Sequence, residues 1–219
     1  MRVAIIDSGV HASHPHVGGV AGGIGIDETG TLHADFVDRL GHGTAVTAAI
    51  REGAPDAELF AVKVFDHVLS TNVASLLDGI DWAVQNGMHL VNLSLGTTNR
   101  EHEAALASAV ERAVRANVLI VAARDDGGQS WLPGNLAGVL PVEIDGALPR
   151  DQFRAARIGG VTVFRTSGFA RAIPGVPPER NLHGISLAVA NMTGLVARAI
   201  EGVDDRSLAR VVALLEGER

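Results

Sequence analysis

"VAIIDSGV", residues 3–10 of a chain of 219, decides the fold. Val3–Ile6 are consecutively apolar and three of the four are β-branched, which reads as a short strand buried on both faces. Ser8–Gly9 then forces a turn. A strand of that kind belongs in a parallel sheet with helices on either side. Asp7 stands at its carboxyl end, where open α/β sheets form their ligand-binding crevice. An Asx-turn begun by Asp7 is the competing reading.

Working outward, strand-like runs at Leu59–Val64, Leu90–Leu93 and Val118–Ala122 alternate with helical patterns over Gly43–Ile50, Val73–Gln85 and Glu101–Ala116. The alternation predicts an α/β fold in three layers, a mostly parallel central sheet flanked by helices, as a single domain over residues 1–219. "STNVASLLDGIDWAV" (70–84) opens with a helix-cap signal and Asn86–Gly87 closes that helix. Ser186–Ile200 reads as a buried helix and Asp204–Leu215 as an amphipathic one. Gly127–Pro178 is rich in Gly and Pro and predicts short strands and loops.

Composition narrows the function classes. The chain is 47% hydrophobic and 20% charged, enough apolar residues for one core. A net charge of −7 without a Lys/Arg cluster argues against nucleic acid as partner. The absence of cysteine excludes disulfides and thiol catalysis. "MRVAIID" runs straight into a strand with no signal-peptide pattern, and no apolar stretch is long enough to span a membrane, so a cytoplasmic protein without a membrane partner is expected.

Three segments place a reactive side chain beside glycine at the end of a regular element. They are Asp7 after the first strand, His42 in "LGHGTAV" (40–46), and Ser186 in "NLHGISLAVANMTGLVARAI" (181–200). A structural histidine and a helix-capping serine are the competing readings of the last two. Taken together, the three supply what a hydroxyl needs to become a nucleophile: a base to take its proton and a carboxylate to fix that base's tautomer.

"AIIDSGVHASHPHV" (4–17), "GHGTAV" (41–46), "LFAVKVFD" (59–66), "GIDWAVQNGMHLVNLSLG" (79–96) and "GISLAVANMTGLVA" (184–197) resemble, in order, the signature blocks of the subtilisin-like serine peptidases. The resemblance runs from Val3 to about Ala199. It implies Asp7, His42 and Ser186 as a catalytic triad, with Leu93–Gly96 as a segment that pairs with an extended peptide or protein substrate. Ser94, Leu95, Gly96, Ala122 and Arg124 are then substrate contacts, and no cofactor is implied. His11, His14 and His16 lie close in sequence, but the family carries His-Pro here and no further ligands at metal spacing follow, so no metal site is expected. "REGAPDAE" (51–58) is much shorter than the calcium-binding insertion of secreted relatives, whose main calcium site is therefore not expected.

The chain departs from the family at several positions. "VAARDDGG" (121–128) puts Asp125 where the family has an oxyanion-binding Asn. An ionised carboxylate cannot donate, so an enzyme favouring acid pH is expected, in which protonated Asp125 and the Ser186 N–H form the oxyanion hole and Asp125→Asn raises activity near neutrality. Arg124 replaces a Gly that leaves the principal specificity pocket open, so it either fills that pocket and selects small or acidic residues or swings into solvent. Ala45, Ile185 and Ala190 replace the family's His, Thr and Pro and mark a divergent member. The leading expectation is a serine endopeptidase acting through an acyl-enzyme, with trimming of a dedicated precursor peptide as its task. The alternative is a degenerate member that binds extended peptides without cleaving them.

Overall fold

A computed structural model describes residues 1–66, 68 and 71–217. Ser70, part of the helix-cap signal, lies outside them. The elements in chain order are β1 (Arg2–Asp7), β2 (Gly22–Ile26), β3 (Leu32–His33), α1 (His42–Gly53), β4 (Glu58–Lys63), α2 (Val73–Gln85), β5 (Leu90–Leu93), α3 (Glu103–Arg115) and β6 (Leu119–Ala123). There follow β7 (Asp125–Asp126), β8 (Gln129–Ser130), β9 (Val139–Ile144), β10 (Phe153–Ile158), β11 (Val161–Thr166), α4 (Ile185–Ala199) and α5 (Leu208–Leu215).

Nine strands form one sheet in the order β10-β11-β9-β6-β5-β1-β4-β2-β3. Every junction is parallel except those at the two edges, β10–β11 and β2–β3. The apolar run of β1 divides between two cores because successive side chains point to opposite faces. Val3 and Ile5 join α1, α4 and α5, whereas Ala4 and Ile6 join α2 and α3. Burying each of the two isoleucines contributes about 1.5–3 kcal/mol. The three-layer fold follows directly from a central strand that is apolar on both sides.

Chain order reverses at β1. The chain passes from β1 to β4 on one side and then, through α2, to β5 on the other. That switch opens a crevice at the carboxyl ends of β1 and β5. Asp7 ends the first of these strands and Ser94 follows the second.

Several boundaries differ from the sequence expectation. Arg100–His102 form a 3₁₀ turn, begun by Asn99 accepting from Glu101 N, so α3 proper starts at Glu103. Ser207 caps α5, delaying it from Asp204 to Leu208. The Gly/Pro-rich segment carries three six-residue strands, β9 to β11. None of the helices is long and apolar enough, among the described residues, to cross a membrane.

Candidate active site

Asp7 and His42 meet where β1 abuts the start of α1. The His42 Nδ1 lies 2.7 Å from Asp7 Oδ1, with the two side chains 23% and 1% exposed. A carboxylate only accepts, so Nδ1 carries a proton and, in the neutral ring, Nε2 holds a free lone pair. Ser8 N also donates to Asp7 Oδ1 (2.7 Å), which fixes the carboxylate from its own turn. Gly43 makes the approach possible: a Cβ there would run into the Gly9 carbonyl oxygen and lie 3.2 Å from Asp7 Cβ.

A second carboxylate holds the same helix start. Asp38, 9% exposed, accepts from Ser8 Oγ (2.9 Å), Leu40 N (2.9 Å), Gly41 N (2.9 Å), Thr44 N (2.8 Å) and Thr44 Oγ1 (2.6 Å). Ser8 Oγ in turn accepts from Gly43 N at 2.9 Å. Burial pushes the Asp38 pKa up, but the bonds from Thr44, Leu40 and Ser8 together outweigh it and hold it below the ordinary carboxylate value. Its stabilisation is therefore present above the unfolded carboxylate pKa and lost as pH falls through the lower, folded one. Asp38→Ala leaves several donors unpaired and is expected to cost about 3 kcal/mol of stability; urea unfolding at neutral pH checks it, and a cost under about 0.5 kcal/mol would remove Asp38 from this role.

The His42 pKa is raised. Burial is the largest single influence and lowers it, yet the hydrogen bond to Asp7, the charge of Asp7 and the more distant charge of Asp38 together prevail.

Ser186 is the second residue of α4, whose N-cap is Gly184 and which carries no side-chain cap. It is thus not the capping residue. Its hydroxyl donates to Ser94 O (3.0 Å), and Ser94 Oγ donates to Ser186 O (3.0 Å), tying α4 to the end of β5. Behind them Thr193 Oγ1 donates to Asn92 Oδ1 (3.0 Å) and Asn92 Nδ2 to Ser94 Oγ (2.8 Å). His42 and Ser186 line one cleft of about 540 Å³, shared with Ser94, Leu95, Gly96 and Ala123.

This set of segments, in this order on this fold, is shared with known proteins. Residues 1–141 match the model of the subtilase family, Peptidase S8. The chain belongs to that family. This subtilase is 38% identical to the thermostable alkaline protease of Halalkalibacterium halodurans, over 64% of this chain and 40% of that protein. It is 33% identical to the M-protease of Shouchella clausii, over 93% of this chain and 52% of that protein. With subtilisin Savinase of Lederbergia lenta it shares 32% identity over 92% of this chain and 74% of the relative. The chain spans about half or less of the length of the first two. In fold it is similar to a cold-adapted subtilisin-like serine proteinase, with a TM-score of 0.73 and 19% identity over 98% of this chain and 79% of that one. A lanthipeptide protease is similar to the same degree, with a TM-score of 0.73 and 20% identity over 96% and 77% of the two chains.

The two residues that depart most from the family lie elsewhere than expected. Asp125 begins the β7–β8 hairpin, its Oδ1 accepting from Gly128 N (2.9 Å). It lines a separate concavity with Glu143, Asp145 and Arg165 rather than the cleft of Ser186. The Gly127–Gly128 turn supplies that backbone donor close at hand. Arg124 also leaves the cleft: its Nη1 donates to Glu143 Oε1 of β9 at 2.6 Å. It neither fills the subtilase pocket nor swings free into solvent, because a half-buried carboxylate captures it. Ala122 is buried in the sheet, paired with Leu93. Of the clustered histidines, His14 and His16 meet edge to face at 5.2 Å, and His14 Nδ1 accepts from His16 N. No group of three metal-ligating side chains occurs among the described residues. Sequence reasoning missed Asp38, whose signal was an Asp ahead of a helix start at Asp38–Thr44, and Trp131 of the cleft wall.

Proposed function

We propose that this chain is a serine endopeptidase that cleaves peptide bonds through an acyl-enzyme, with Ser186 as nucleophile, His42 as general base and Asp7 orienting His42. The observation that carries the reading is the 2.7 Å Asp7–His42 bond, which in the neutral ring leaves Nε2 free to act as base, His42 lining the cleft that Ser186 shares. Ser186 Oγ bonds Ser94 O in the free protein, and the reaction requires it to leave that bond for the imidazole. His42 then takes the proton as Oγ attacks the scissile carbonyl, returns it to the leaving amine, and activates a water to release the acyl group.

The oxyanion rests on the Ser186 N–H at the uncapped start of the 15-residue α4, where the helix dipole favours negative charge. With Asp125 bonded to Gly128, a side-chain donor is missing, and this slows the reaction by about 10²–10³-fold on the scale known from subtilisin. The same two features, Ser186 bonded away from His42 and the unfilled donor position, favour the second reading, a peptide-binding module that does not cleave. On the peptidase reading we favour a dedicated precursor peptide as substrate; on the other, an extended peptide is bound without cleavage.

A fluorophosphonate probe separates the two. Covalent labelling of the wild-type protein, seen as a mass increase mapped to Ser186 and abolished in Ser186→Ala, is expected of the peptidase. An unlabelled wild-type protein leaves the binding module.

A further inference from the structure

Two extended segments leave adjacent strands beside Ser186. Ser94–Thr97 follows β5, and Arg124 follows the end of β6, the strands being paired as Leu93 with Ala122. Trp131 and Leu132 cross between them. Trp131 N donates to Arg124 O (2.9 Å), and Leu132 exchanges both backbone hydrogen bonds with Thr97 (2.9 and 3.0 Å). Between these segments lies a slot of the cleft, which Trp131 lines with Ala123, Gly96 and Ser186. A Cβ built on Gly96 would lie 3.6 Å from Trp131 Cε3, so the indole rests against the bare backbone of that wall.

Arg124 is drawn to Glu143, outside the cleft. The Trp131 Nε1 is buried with no partner among the described residues, so the ring is held by packing alone and its removal strands no other polar group.

We propose that Trp131 determines specificity by limiting the subsite for the side chain on the acyl side of the scissile bond to Gly, Ala or Ser. The inference rests on Ser186 as nucleophile and on substrate pairing along Leu93–Gly96. An extended peptide so paired alternates its side chains, and the one beside the attacked carbonyl enters the slot that the indole floors. A large side chain there meets the ring before it is seated.

The test measures kcat/KM for peptide amides differing only in that residue, Ala, Leu or Phe, in the wild type, Trp131→Phe and Trp131→Gly. In the wild type Ala is expected to exceed Leu and Phe by about 100-fold or more, within the range one pocket achieves against misfitting apolar groups. Trp131→Gly should reverse the Phe-to-Ala ratio, and Trp131→Phe should raise the Leu-to-Ala ratio about tenfold, which serves if the glycine variant does not fold. Wild-type cleavage after Phe within about threefold of Ala, or ratios unchanged in both variants, overturns the proposal. Fluorophosphonate labelling judges the nucleophile separately. If the wild type is unlabelled, calorimetric binding of acetyl-Ala-Ala-Pro-Ala and acetyl-Ala-Ala-Pro-Phe decides. A preference for the Ala peptide that Trp131→Gly abolishes supports the subsite, while equal affinities or no binding overturn it.

Discussion

Ser186→Ala is expected to lower kcat by about 10⁶-fold, the scale on which subtilisin loses activity when its nucleophile is removed. Nucleophile and base act as one unit, so an imidazole without a hydroxyl to deprotonate leaves only substrate positioning and the backbone oxyanion donor. The variant should stay folded. It loses the Ser186–Ser94 hydrogen bond, worth about 1 kcal/mol, while Ser94 Oγ keeps its own bond to the residue 186 carbonyl. Thermal unfolding run beside steady-state hydrolysis of a peptide p-nitroanilide separates the two effects. A rate loss under about tenfold with the fold intact would exclude Ser186 as the nucleophile.

The three residues proposed as a triad stood out in the sequence because each sits at an abrupt local boundary. Asp7 follows an unbroken apolar strand, His42 stands between glycines, and Ser186 opens an apolar helix after Gly184. These are short-range patterns, and the parallel sheet that brings their ends together follows from the same alternation of strands and helices. Positions were legible where directions were not. The correspondence put Arg124 and Asp125 beside the cleft, but a side chain's direction depends on partners distant in sequence. Glu143, 19 residues away on β9, draws Arg124 out, and the turn at Gly127–Gly128 supplies a backbone donor to Asp125.

Trp131 was overlooked for a related reason. Its place at the cleft depends on a backbone bridge between Leu132 and Thr97, segments whose pairing has no local signature. β10 escaped detection because Arg154 and Arg157 flank a pair of alanines and erase the period-two alternation of an edge strand. Asp38 differs from these, since a polar residue shortly before a helix start is a recognisable signal. Its weight lies in the number of donors it gathers around the segment that carries His42.

Asp7→Asn tests the other half of the proposed catalytic unit and carries the second largest expected effect, a loss of about 10⁴-fold in kcat, the figure for the equivalent change in chymotrypsin-type proteases. The amide keeps the volume of the carboxylate, but one atom, Oδ1, serves both Ser8 N and His42 Nδ1, so turning the NH₂ toward Nδ1 gives up the bond from Ser8 N. It cannot supply the negative charge that stabilises the imidazolium formed as Ser186 attacks. Its NH₂, turned toward Nδ1, also selects the tautomer with Nε2 protonated, which cannot act as base.

The pH profile separates this role from simple damage. In the wild type the acid limb of kcat/KM should lie above the ordinary imidazole value, because the His42 pKa is raised and the base works only when neutral. By the same sign, the stabilisation of the fold by protonated His42 is present below the unfolded imidazole pKa and lost as pH rises through the folded one. Removing Asp7 takes away its hydrogen bond and its charge, the two foremost influences that raise the pKa, while burial still lowers it and Asp38 alone opposes. The limb of the residual activity should therefore move to lower pH. A variant whose limb stays in place, or whose rate falls less than about tenfold, would show that Asp7 neither orients nor charges the base.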